Sequence, residues 1–141
     1  MKHFYESKSD KQTQKIAKQL TNKLVPGDII LLFGNIGAGK TCFVKGIACG
    51  LNIDPLIVTS PTFIILNEYK SKISLNHFDF YRMTSFEEIE KIGFFDYIES
   101  NAITVIEWPE KVEKYIKERC YKIIIDVVKD NERKINIISP K

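Results

Sequence analysis

Gly34-Asn35-Ile36-Gly37-Ala38-Gly39-Lys40-Thr41 fits G-x-x-x-x-G-K-[ST], the phosphate-binding P-loop pattern, and its reading decides the fold. The spacing has a chemical reason. Glycines let successive backbone N–H groups turn inward and approach phosphate oxygens that a Cβ would keep away. A helix starting at the end of the loop adds its unpaired N–H groups and the positive end of its dipole. Lys40 is expected to reach the β- and γ-phosphates of a nucleoside triphosphate, and the Thr41 hydroxyl to take one position on Mg²⁺. Asn35, Ile36, Gly37, Ala38, Gly39, Lys40, Thr41 and Cys42 are the expected nucleotide-binding residues.

At average residue frequencies the pattern arises by chance in roughly one chain of this length in two hundred. The flanks sharpen it. Asp28-Ile29-Ile30-Leu31-Leu32-Phe33 is a short apolar run entered by Pro26-Gly27, as a buried parallel strand would be. From Thr41 to Leu51, residues Phe43, Val44, Ile47, Ala48 and Leu51 form an apolar face at helical spacing. Strand, glycine-rich turn and helix are the context the motif requires.

The chain has 141 residues, 44% hydrophobic and 28% charged, which suits one globular domain spanning 1–141. No apolar run approaches a membrane span, and the polar start Met1-Lys2-His3 does not read as a signal peptide. The cytoplasm is the expected location, with no membrane partner. Cys42, Cys49 and Cys120 lack C-x-x-C spacing and are expected to be small reduced core residues. The net charge of +3 is unevenly spread: residues 1–25 and 111–141 each carry +4, and residues 26–110 carry −5. The basic ends suit either an RNA or acidic partner or an ordinary solvated surface.

Along the chain, Phe4-Tyr5 reads as an edge strand, and Ser9 or Asp10 caps a helix running to about Leu24. Phe63–Tyr69 and Ile73–Tyr81 read as a hairpin. Ser85 precedes an acidic helix ending near Gly93, and Phe94–Glu99 a second short one. Ala102–Ile106 is a buried strand, and Pro109 is expected to open a helix through Ile116. Tyr121–Val128 and Arg133–Ile138 form a terminal hairpin. The pattern predicts an α/β, P-loop NTPase-like three-layer sandwich, with parallel central strands and antiparallel hairpin strands at its edges.

A P-loop nucleotidase also needs a carboxylate near Mg²⁺, usually at the end of a buried strand. Glu107, following Ala102–Ile106, and Asp79, inside His77-Phe78-Asp79-Phe80-Tyr81-Arg82, are the two candidates. Thr62, in a proline-fixed loop, stands where a threonine can sense the γ-phosphate, although Ser-Pro-Thr is also an ordinary turn. Arg82 suits phosphate stabilisation, a partner contact or a surface salt bridge. Trp108 suits stacking on a base or a partner, or burial. His77 reads as a packed, hydrogen-bonded histidine. The only Asn-Lys pair, Asn22-Lys23, precedes the P-loop and no Asp-x-x-Gly follows it, so ATP is favoured over GTP. With only Arg82, Arg119 and Arg133, the chain lacks the arginine-rich lid of a small-molecule kinase.

The P-loop, Val58-Thr59-Ser60-Pro61-Thr62-Phe63, His77-Phe78-Asp79-Phe80-Tyr81-Arg82 and Ile106-Glu107-Trp108-Pro109-Glu110 together resemble the bacterial TsaE (YjeE) family. The motifs occur in that family's order and spacing over nearly the whole chain. The resemblance implies an ATP·Mg²⁺-binding subunit of the machinery that makes N6-threonylcarbamoyladenosine in tRNA. It implies slow hydrolysis until the subunit joins TsaD and TsaB, whose complex it resets, with tRNA met only through that complex. It assigns Lys40 to the phosphates, Thr41 and Glu107 to Mg²⁺, Asp79 to ordering water, and Thr62 to switching. Trp108 would support the site or a partner surface. The family usually has Asp where this chain has Asn35. A nucleotide-gated binding module and an autonomous small-molecule kinase are the competing readings.

Overall fold

A computed structural model describes residues 1–141. Seven strands form one sheet: β1 (Lys2–Ser7), β2 (Ile29–Phe33), β3 (Leu66–Tyr69), β4 (Leu75–Asp79), β5 (Ile103–Glu107), β6 (Cys120–Lys129) and β7 (Glu132–Ile138). Their order is β1-β7-β6-β2-β5-β4-β3. The four central strands, β6-β2-β5-β4, are parallel. The outer pairs β3–β4, β6–β7 and β1–β7 are antiparallel. The expected architecture is therefore present, and period-two alternation explains how it is layered.

Ile30, Leu32, Ile103 and Val105 point to one face of the sheet, where helices α1 (Asp10–Leu20) and α2 (Lys40–Gly50) cover them with Ala17, Leu20, Phe43, Val44 and Ile47. Ile29, Leu31, Phe78 and Ile106 point to the other face. Helices α3 (Phe86–Lys91) and α4 (Phe94–Ile98) cover that side with Ile89, Phe94 and Ile98. The helix starts follow the sequence signals: the Ser9 and Ser85 hydroxyls accept from Gln12 N–H and Glu88 N–H.

Three expectations change in substance, while other element ends shift by one or two residues. Residues 109–116 form two 3₁₀ turns, Pro109–Lys111 and Glu113–Tyr115, rather than a helix. Val112, at φ −117°, interrupts the helical run, and its side chain is fully buried against the α3–α4 side of the core. The first strand of the central hairpin begins at Leu66, not Phe63. Ile65 N–H donates to Pro61 C=O and Ile65 adopts φ +73°, so Phe63 and Ile64 lie on an exposed turn. Helix α1 ends at Leu20 and continues to Lys23 as a 3₁₀ turn.

Helix α2 crosses α1 at Gly46, where an added Cβ would collide with the Gln14 carbonyl and the Ala17 methyl. This close approach sets the spacing between the P-loop helix and α1. Gly46→Ala is expected to destabilise the fold by about 1–3 kcal/mol through overpacking, measured as a shift in the urea midpoint. An unchanged midpoint would contradict the tight crossing.

Candidate functional site

The carboxyl ends of β2, β4 and β5 meet the start of α2, as ligand sites do in open α/β sheets. A cavity of about 410 Å³ opens there, within the range of small-molecule sites. It is lined by Ile36, Gly37, Gly39, Lys40, Thr41, Cys42, Thr62, Asp79, Glu107 and Trp108, residues drawn from four separate stretches of the sequence. Ser60, Tyr81, Asp10 and Arg133 complete the wall. A larger cleft, about 690 Å³, lies at the opposite end of the strands beside Ser74, Asn76 and Ala102, and contains no P-loop residue.

The loop has the conformation its glycines permit. Gly37 and Gly39 stand at φ +81° and +102°, and α2 begins directly after Gly39. Asn35 and Ile36 are exposed at the loop tip, whereas Ala38 is buried and closes the turn with its N–H on Asn35 C=O. Lys40 is only 6% exposed. Its Nζ donates to Gly34 C=O at 2.7 Å and lies 3.8 Å from Glu107 Oε1. It also sits 3.9 Å from the centre of the Trp108 ring. Burial pushes the Lys40 ammonium below its usual range, and Glu107, Asp79 and Glu110 pull it partly back.

Asp79 and Glu107 are side by side, because they are register partners on the parallel strands β4 and β5. Both are almost wholly buried, so neither is an exposed strand residue. Each is held by named donors. His77 Nε2 lies 2.5 Å from Glu107 Oε2. A carboxylate only accepts, so Nε2 carries the proton, and Nδ1 has no partner. Asp79 Oδ2 accepts from the Thr62 hydroxyl at 2.8 Å and Oδ1 from Tyr81 N–H at 2.8 Å. The Thr62 oxygen is 2.7 Å from Ser60 Oγ, which gives a relay from Ser60 through Thr62 to Asp79.

Trp108 follows β5 directly and adopts φ +55°, a left-handed conformation that is costly for a bulky residue. The bend brings its indole over Lys40 and within 4.9 Å of the Tyr81 ring. Trp108 thus belongs to the cavity wall. Arg82 does not: it is exposed, with its guanidinium 5.1 Å from the Phe63 ring, and forms no salt bridge. The arginine in the cavity is Arg133, delivered by the terminal hairpin, and sequence spacing held no signal for it. His77 is packed and hydrogen-bonded as expected, but its partner, Glu107, was not foreseen.

The cysteines are half-buried rather than core residues. Cys42 lies between α2 and α1, its thiol donating to Asp10 C=O at 3.2 Å. Burial pushes the thiols of Cys42 and Cys120 up.

Two outcomes follow from this geometry. His77→Leu is expected to cost about 3 kcal/mol in urea unfolding by leaving a buried carboxylate without its donor, and His77→Gln less. Equal stability of His77→Leu and the unaltered chain would contradict the pairing. At pH 8 the raised thiol keeps Cys42 protonated, so peptide-resolved alkylation should run slower than on free cysteine and accelerate only at more alkaline pH. A rate equal to that of free cysteine would contradict the burial.

Comparison with known proteins places the chain. The sequence profile of the family described as "Threonylcarbamoyl adenosine biosynthesis protein TsaE" matches residues 7–135. The Treponema pallidum protein named tRNA threonylcarbamoyladenosine biosynthesis protein TsaE is 37% identical over 131 residues, covering 93% of this chain and 96% of that protein. The Bacillus subtilis protein of the same name is 39% identical over 125 residues, covering 88% and 77%. The crystal structure of Bacillus subtilis YdiB superposes with a TM-score of 0.81 at 30% identity, over 100% of this chain and 87% of that one. The chain belongs to the TsaE family of threonylcarbamoyladenosine biosynthesis proteins.

Proposed function

We propose that the chain is an ATP-binding, slowly hydrolysing accessory subunit for making N6-threonylcarbamoyladenosine in tRNA. In this reading its ATPase is activated by TsaD and TsaB, resets their complex, and meets tRNA only through it. One observation carries the proposal: Asp79 and Glu107 lie side by side in the cavity that also holds the P-loop, Lys40 and Thr41. The reading requires the cytoplasm, and no helix is long and apolar enough to cross a membrane.

The donor chemistry supports ATP with Mg²⁺. Thr41 and Glu107 offer a hydroxyl and a carboxylate, hard oxygen ligands suited to a small divalent cation that keeps phosphate oxygens and waters in its shell. Bound there, Mg²⁺ would neutralise charge on the phosphates. Lys40 would exchange the Gly34 carbonyl for the β- and γ-phosphate oxygens. The backbone N–H groups from Asn35 to Cys42 would take the remaining phosphate oxygens, that of Ala38 only on leaving the Asn35 carbonyl. Asp79 would order the attacking water, and Trp108 would keep bulk water off Lys40.

The same geometry supports the slow-hydrolysis reading. Both Asp79 oxygens are already engaged, one by Thr62 and one by Tyr81 N–H. The Thr62 hydroxyl has one proton, so it must leave Asp79 before it can donate to a γ-phosphate oxygen, and its departure opens Oδ2 further to water. A partner that pulls the 59–65 loop away from Asp79 would therefore raise the rate without supplying any chemical group.

The isolated chain is expected to hydrolyse ATP very slowly and to accelerate when titrated with TsaD–TsaB. Equal rates with and without the pair, over a range of concentrations, would refute partner activation. Lys40→Ala should abolish ATP binding or turnover, and unchanged affinity and turnover would refute the P-loop assignment. Glu107→Gln should keep ATP binding and lose about 100-fold or more in turnover. If tRNA modification continues through many turnovers with Glu107→Gln, ATP acts only as a conformational gate.

A further inference from the structure

Arg133 lies 95 residues beyond Ala38, yet its Nε donates to the Ala38 carbonyl at 2.8 Å and its Nη2 lies 3.4 Å from the Gly37 carbonyl. Its Nη1 donates to the carbonyls of Asp130, at 2.6 Å, and Glu132, at 3.1 Å. One guanidinium thus spans two loops. The planar five-donor fork of arginine suits this, and a lysine ammonium could not reproduce the set. The side chain also lines the phosphate cavity.

Its aim comes from the strand ladder. Arg133 pairs with Val127 on β6 and Ser7 on β1. The ladder between β6 and β7 is broken by a bulge between Val127 and Lys129, directly beside Arg133. A bulge of this kind bends the strand and re-aims a side chain. The connecting turn is tight, with Asp130 at φ +43°. The hairpin therefore holds the guanidinium against the Gly37 and Ala38 carbonyls of the P-loop.

In a trans peptide unit the N–H points opposite to the carbonyl, so a carbonyl held in place fixes the direction of the N–H that follows it. We propose that Arg133 is a positioning residue of the nucleotide site: its grip on the Ala38 carbonyl fixes the Ala38–Gly39 peptide unit, and so the direction of the Gly39 N–H, before nucleotide arrives, while the Ala38 N–H is held by Asn35 C=O. The inference rests on the ATP-binding reading above and adds a residue from the terminal hairpin to it. The prearranged loop avoids an ordering cost that would otherwise be met on binding. The effect should fall on the phosphates, not on the nucleoside.

The test is calorimetric titration of the full chain with ATP and with AMP, in Mg²⁺, for the unaltered protein, Arg133→Met, Arg133→Lys and Lys40→Ala. Arg133→Met should weaken ATP about tenfold and AMP less than about twofold, with Arg133→Lys between the unaltered chain and Arg133→Met for ATP. Hydrogen exchange should show faster exchange of the amides of residues 37–40 in nucleotide-free Arg133→Met, with the amides of β2 and β5 unchanged. ATP affinity within twofold of the unaltered chain in Arg133→Met would overturn the inference, as would equal losses for ATP and AMP. If Arg133→Met does not fold, Arg133→Lys decides, and full ATP affinity there overturns it. Loss of ATP binding in Lys40→Ala beside normal binding in Arg133→Met defeats this inference alone. An unaltered chain that binds no ATP defeats the proposed function and this inference with it.

Discussion

A buried ammonium must be compensated, and in this protein the compensation of Lys40 organises the site. Its Nζ rests on the Gly34 carbonyl, faces Glu107 at 3.8 Å, and is covered by the Trp108 ring. Desolvation is the largest influence on its protonation, opposed by three carboxylates. Each compensating group needs its own support. Glu107 is buried and accepts from His77; Trp108 reaches Lys40 only by adopting a left-handed backbone. The cavity thus holds a cation that has lost most of its water and is partnered by groups weaker than a phosphate. Such a site is poised for an anion before any arrives.

The sheet delivers these groups by register. Parallel pairing of β4 with β5 makes Asp79 the neighbour of Glu107, and pairing of β2 with β5 brings the strand before the P-loop beside them. The antiparallel edges then contribute control rather than core. The segment before β3 supplies Thr62, which occupies Asp79, and the β6–β7 hairpin supplies Arg133, which occupies the back of the loop. On the proposed reading, a site assembled this way would have its phosphate cradle held from one edge and its water-ordering carboxylate from the other. That division fits a nucleotide switch better than a self-sufficient catalyst.

The parts legible in sequence were those encoded by local spacing. The P-loop, the buried run before it, the serine caps at Ser9 and Ser85, and the acidic residues at the ends of β4 and β5 all announce themselves within a few positions. What escaped was long-range. Arg133 and Arg82 are indistinguishable as residue types, and only the hairpin and its bulge bring one of them to the loop. The expected helix after Pro109 failed because the backbone leaves helical geometry at Val112, where φ is −117°. The expected strand at Phe63 failed because the Pro61–Ile65 bond closed a turn there. The same turn is part of the segment that carries Thr62 to Asp79, so the miss fell beside the residue assigned to switching.

The most direct measurement is the structure of the chain bound to Mg²⁺ and a non-hydrolysable ATP analogue. The account predicts the phosphates seated in the Gly34–Thr41 loop, Lys40 Nζ transferred from the Gly34 carbonyl to phosphate oxygen, and Glu107 still held by His77. Nucleotide bound elsewhere, or seated in the loop with Lys40 still on Gly34 and Glu107, would contradict it.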